Sequence, residues 1–176
     1  GFSTRFNLYA LSRVASIDIM VGLAMMVVIL TGGLNLSLGA LGVSAAMFGG
    51  WCMQSLGIPI IPSVFLILLF GTFLGWINGY VTVKTGVHSF IVTLATMSIY
   101  FGFMTVLTQA QSFKNLPDAF TDIGSMKLFY KYVSPLLLFS LFTGCILFYL
   151  FNFTDIGRKL IAAGANPSAA ELSGIS

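Results

Sequence analysis

The chain has 176 residues, of which 57% are hydrophobic and 7% charged, and its mean hydropathy is +0.99. A soluble domain carries about 25% charged residues because its surface faces water; eight Lys/Arg and five Asp/Glu cannot clothe one of this size, so lipid is the solvent for most of the surface. The net charge of +3 is scattered, with no basic run longer than Arg158-Lys159, and offers nucleic acid no footprint.

Crossing a hydrocarbon core of about 30 Å takes roughly 20 apolar residues in a helix. Residues 14–34 satisfy this, with Asp18 near one end, where it can pair with Arg13 or meet the interface. The run Thr31-Gly-Gly-Leu-Asn-Leu-Ser-Leu-Gly39 joins them to residues 36–56, which are small rather than bulky through Gly39, Gly42, Ser44, Ala45, Ala46, Gly49 and Gly50. A glycine-rich segment of this kind is expected to be a broken or partly re-entrant helix. The backbone groups freed at its bend need partners inside the bundle, and Asn35 and Ser37 either cap the following helix or contact a solute.

Residues 60–83 form the next span. Gly71, Gly75 and Gly79 fall on nearly one face, because four residues advance about 400°. Glycine lets a second backbone approach closely, within the bundle or between subunits. Asn78, on the same segment, carries a carboxamide with several hydrogen-bonding groups to satisfy. His88 stands where the following span, 88–109, begins. Ser89, Thr93, Thr96 and Tyr100 make a polar stripe along that span, which either bonds neighbouring helices or lines a watery path. The longest polar connection, 110–132, holds Lys114, Asp118, Asp122, Lys127 and Lys131; residues 133–153 are the last span. Lys/Arg counts on the two sides do not decide the orientation.

Cys52 and Cys145 lie in apolar stretches with no CxxC and no histidine cluster, so neither a disulfide nor a metal site is expected. One histidine, few carboxylates and no GxSxG leave no constellation for an enzyme, and no cofactor is called for. Beyond Phe153 the composition turns polar, and residues 154–176 read as a tail outside the membrane. Within it Asn166 and Pro167 suit the N-cap and first position of a short helix, and Gly174 suits its left-handed stop. The expected fold is therefore all-α: a partial polytopic transmembrane bundle with a glycine-rich broken helix, followed by a short extramembrane helix.

Three runs carry a family resemblance. Gly157-Arg158, Ala163-Gly-Ala-Asn-Pro167 and Ala169-Ala-Glu-Leu-Ser-Gly-Ile175 resemble the coupling loop of ribose-type ABC importer permeases. Val28-Ile-Leu-Thr-Gly-Gly-Leu-Asn-Leu-Ser-Leu-Gly39 is similar to that family's glycine-glycine-x-aspartate-leucine-serine-x-glycine signature. Gly75-Trp-Ile-Asn-Gly79, continuing to Ser89-Phe-Ile-Val-Thr-Leu-Ala-Thr-Met97, is the third.

The resemblance implies an alternating-access, dimeric permease in a bacterial or archaeal inner membrane. It would take a small polar solute such as a monosaccharide from an extracytoplasmic binding protein, driven by a separate cytoplasmic ABC ATPase. The helix at 167–173 would be the cytoplasmic coupling helix, with Gly164, Asn166, Pro167, Ala170 and Glu171 shaping or contacting the ATPase interface. Asn35, Ser37, Asn78, Thr93 and Thr96 would line the solute path or pack beside it. Asn35 departs from the family's aspartate and removes a possible charge. A first span and a C-terminal half of the family's bundle are missing, so the chain is expected to be a fragment that transports nothing by itself. Branched-chain amino-acid or nucleoside permeases, and an ATP-independent channel or scaffold, are the alternatives.

Overall fold

A computed structural model describes residues 4–110, 113, 116–117, 119–120 and 133–175, apart from the side chain of Arg5. Lys114, Asp118, Asp122, Lys127 and Lys131, the charges of the long polar connection, lie outside the described residues. Seven helices have described bounds, and there is no strand among the described residues. They are α1 (Arg5–Leu30), α2 (Leu38–Gln54), α3 (Ile60–Thr85), α4 (Ser89–Leu107), α5 (Pro135–Phe153), α6 (Asp155–Ala165) and α7 (Pro167–Leu172). The chain is an all-α polytopic membrane protein. Four stretches, Phe6–Leu30, Ile60–Thr85, Ser89–Leu107 and Pro135–Phe153, are long and apolar enough to cross a bilayer. Their outward faces carry large apolar side chains such as Ile61, Val83 and Val106, each about four-fifths exposed, a surface suited to lipid.

The helices form two compact units. The first contains α1 and α5 packed on each other, with α6 and α7 following α5. α1 begins nine residues before the apolar run that starts at residue 14, because nothing between Phe6 and Arg13 breaks a helix. Its 26 residues make about 39 Å of helix, longer than the hydrocarbon core. It ends in a full left-handed stop: Gly32 has φ +80°, its N–H reaches Ile29 O at 2.9 Å and the Gly33 N–H reaches Val28 O at 3.0 Å. α5 opens with Ser134, whose Oγ accepts from Leu136 N, and Pro135 in the first turn. The Ser134 N–H donates to Ser12 Oγ at 3.0 Å, which ties the start of α5 to α1. Further along, Gly144 leaves room for Leu23.

The second unit holds α2, α3 and α4, each touching the other two. α2 has 17 residues and rises about 26 Å, short of the hydrocarbon core. Its small residues let α3 come close. Ile67 lies against Gly49, Ala45 against Gly71, and Phe48 stacks on Phe70 at 4.4 Å between ring centroids. Leu41, Leu74 and Tyr100 form the buried centre, flanked by Phe70 and Ile77. α3 stops at Gly86, whose φ of +67° no L side chain adopts comfortably.

Candidate functional site

Two places collect the candidate residues, one in each unit. In the second unit, residues 34–37 are not helical and their backbone groups need partners. α4 supplies them. The Leu34 N–H donates to Ser89 Oγ at 2.8 Å, and the Leu36 N–H to Thr93 Oγ1 at 3.1 Å. These contacts span 55 and 57 residues of sequence. Thr93 in turn donates within its own helix, to Ser89 O at 2.8 Å.

A second set of bonds runs from α4 through α3 to the bend. Tyr100 Oη lies 2.9 Å from both Asn78 Oδ1 and Leu74 O and donates to them. Asn78 Nδ2 donates to Ser37 Oγ at 2.7 Å, and Ser37 Oγ donates to Asn35 Oδ1 at 2.7 Å. Asn35 Oδ1 also accepts the Ser37 N–H at 2.9 Å, closing a local turn. Ser37 therefore sits at the N-cap position of α2 without capping it: its hydroxyl is used between Asn78 and Asn35.

Of the five residues placed on or beside the solute path, Ser37, Asn78, Thr93 and Thr96 are buried and Asn35 is half-buried. Asn35, Ser37 and Asn78 belong to one hydrogen-bonded cluster, and Thr93 holds the neighbouring backbone. Thr96 bonds back to Thr93 O in its own helix. Ser89 and Tyr100 belong to the same structure and were absent from the candidate set, although their spacing on the stripe marked them. His88 accepts the Phe90 N–H on its Nδ1 and starts α4. A Cβ on Gly71 would lie 3.9 Å from the Ala45 methyl, whereas one on Gly75 or Gly79 would meet nothing within 4 Å among the described residues.

The tail forms the second place. Residues 155–165, read from sequence only as part of the tail, are the helix α6. Thr154 caps it by accepting the Gly157 N–H at 3.2 Å. Asp155 in the first turn accepts from the Arg158 guanidinium; that hydrogen bond, with the charge of Arg158 and then of Lys159, holds its carboxyl below the usual range. α7 follows after the single residue Asn166, whose Oδ1 accepts the Ala169 N–H at 3.1 Å. Gly174, at φ +79°, stops α7, with the Gly174 N–H on Glu171 O and the Ile175 N–H on Ala170 O, each at 3.0 Å. Asn166, Pro167 and Glu171 are exposed, Gly164 is half-buried and Ala170 is buried at 5%. Leu172, not among the candidates, is 91% exposed.

A polytopic helical membrane protein with a broken, hydrogen-bonded segment between two of its helices and a doubly capped helix outside its spans is the class that fold and site define. The chain belongs to the family described as branched-chain amino acid transport system / permease component, which matches residues 7–176. It is 33% identical to the ribose import permease of Haemophilus influenzae over 96% of this chain and 53% of that one. It is 30% identical to the D-allose transport system permease of Escherichia coli over 99% of this chain and 53% of the relative. The autoinducer 2 import system permease LsrD of Salmonella typhimurium is 30% identical over 88% and 48%. The chain thus spans about half the length of these relatives. No solved structure matches it.

Proposed function

We propose that the chain is part of the membrane-spanning permease subunit of an ATP-driven importer for a monosaccharide or similar small polar solute. It works in a bacterial or archaeal inner membrane. A separate cytoplasmic ATPase hydrolyses ATP, an extracytoplasmic binding protein delivers the solute, and a second permease subunit completes the path. Relatives named for ribose, D-allose and autoinducer 2 favour sugar-like solutes over branched-chain amino acids or nucleosides.

The observation that carries the coupling role is α7 itself. A helix of six residues has no stability of its own, yet this one is capped at its start by Asn166 and closed at its end by Gly174. It buries Ala170 and turns Glu171 and Leu172 outward. A short, pre-formed helix presenting one acidic and one apolar side chain suits a shallow groove on the ATPase, and ordering it in advance lowers the cost of docking. ATP-driven closure of the ATPase pair then shifts α7 and biases the bundle between two packings. In the second unit, Asn35, Ser37, Asn78 and Thr93 hold the bend beside the path, and Thr96 packs within α4.

The test is the Leu172→Cys variant of the intact permease, with Cys52 and Cys145 replaced by serine, co-purified with its ATPase and treated with a short crosslinker. A specific crosslink supports the reading. Failure of the two to associate, with the introduced thiol labelled from the outer face of the membrane, would reverse the topology and leave a channel or scaffold.

A further inference from the structure

The coupling role given above to the tail raises the question of what α6, behind α7, transmits. α6 meets the rest of its unit backbone to backbone. A Cβ on Gly164 would stand 2.8 Å from both Cα and carbonyl C of Thr31 and closer still to the Leu30 carbonyl oxygen. From the other side, a Cβ on Gly32 would stand 3.0 Å from the Gly164 carbonyl oxygen. At the opposite end of α6, Gly157 lies on the backbone of Leu150 and Phe151, where a Cβ would be 2.5 Å from the Phe151 Cα. These neighbours are main chain and cannot rotate away as a side-chain tip does.

Ile156, Arg158 and Lys159 of the same helix are exposed, and Asn166 alone separates it from α7. A displacement of α7 therefore reaches Gly164 with little slack. What Gly164 touches is the last turn of α1 and its left-handed stop at Gly32. From that stop the chain runs directly into residues 34–37. Close-packed contacts of this kind shift as units and do not deform gradually.

We propose that Gly164 is a positioning residue: its backbone seat on Leu30–Thr31 makes α6 and the end of α1 move together, so that a push on α7 is delivered to the Thr31–Gly32 turn. The proposal rests on the importer reading, and it turns Gly164 inward to the bundle and away from the ATPase surface.

The experiment uses the intact permease assembled with its ATPase and binding protein, with D-ribose, D-allose and D-galactose as the solutes tried. Gly164→Ala adds one methyl at the seat; Ala165→Val adds bulk to the exposed neighbour on the same helix. Gly164→Ala is expected to co-purify with the ATPase at the parent level while the stimulation of ATP hydrolysis by loaded binding protein falls about tenfold. Ala165→Val is expected to match the parent. Unchanged stimulation in Gly164→Ala overturns the proposal, and so does a matching loss of ATPase association, which would make Gly164 an interface residue.

A second measurement does not depend on that variant folding. Spin labels on Ile29→Cys and Ala165→Cys, both exposed positions, are compared without nucleotide and with ATP bound. The separation is expected to change by no more than about 2 Å, and a larger change overturns the proposal. Failure of the parent permease to bind the ATPase at all is a different result, which removes the importer reading itself.

Discussion

Replacing Asn78 by leucine removes the central member of the Tyr100–Asn78–Ser37–Asn35 series while keeping the side chain's branching and heavy-atom count. Two bonds go, the one from Tyr100 Oη and the one to Ser37 Oγ. Hydrogen bonds between membrane helices average about 0.6 kcal/mol and reach about 1.7 kcal/mol. Asn78 is 4% exposed and Ser37 is 0% exposed, so water cannot replace the lost amide and the upper half of that range applies. The expected cost of Asn78→Leu is about 2–3 kcal/mol. Tyr100→Phe removes one hydroxyl and leaves Leu74 O within its own helix, so about 1 kcal/mol is expected. The assay is reversible unfolding of the intact permease by SDS in mixed micelles, with the double variant completing a cycle. Because the two residues share a bond, the double variant should cost less than the sum of the singles by about 0.5–1.5 kcal/mol. Additivity within about 0.3 kcal/mol would refute the argument that this bond links α3 to α4.

Four further outcomes are expected. Asn166→Ala should cost α7 about 1 kcal/mol and reduce binding-protein-stimulated ATP hydrolysis, whereas Asn166→Asp, which can still accept the Ala169 N–H, should restore it. Gly75→Ala should leave the fold of the permease intact, since a Cβ there meets nothing within 4 Å. Gly157→Ala, pressed on backbone, should cost about 1–3 kcal/mol in the same SDS assay. The pairing of Asp155 with Arg158 depresses the carboxyl pKa in the folded tail, so its small stabilisation is complete above the unfolded value near 3.8 and fades as the pH falls through the folded one. Hydrogen exchange of α6 should accordingly be no better protected at pH 8 than at pH 5 once corrected for intrinsic rate, and less protected only below about pH 4.

What the sequence revealed and what it hid divide along a physical line. Features settled within a few residues were legible: the Asn166 cap and the Gly174 stop need only a carboxamide, a proline and a glycine at the right spacing. The overall all-α membrane character followed from composition, because a chain this short of charge has no way to cover itself in water. Features settled by distant partners were not. The hydroxyls of Ser89 and Thr93 announced a polar face on α4, but their partners lie more than fifty residues back in the chain, and a stripe is equally compatible with water, solute or backbone. α6 escaped because a helix of 11 residues with two glycines, Gly157 and Gly164, resembles a connection when read by propensity.

The glycines make the same point from the other side. Gly71, Gly75 and Gly79 stood out because they repeat every fourth residue, yet among the described residues a Cβ would have a neighbour within 4 Å at Gly71 and at neither of the other two. Gly157 and Gly164 belong to no such pattern, and they are the ones pressed against main chain. Periodicity records which face of a helix a residue occupies, and it is silent about whether a partner is there. A backbone contact leaves no periodic trace, since it requires a single missing Cβ at one crossing. The glycines that constrain motion in this protein are therefore found by asking what a methyl group would strike, and that question places the tightest of these contacts outside the spans on the tail helix, where α6 crosses the end of α1.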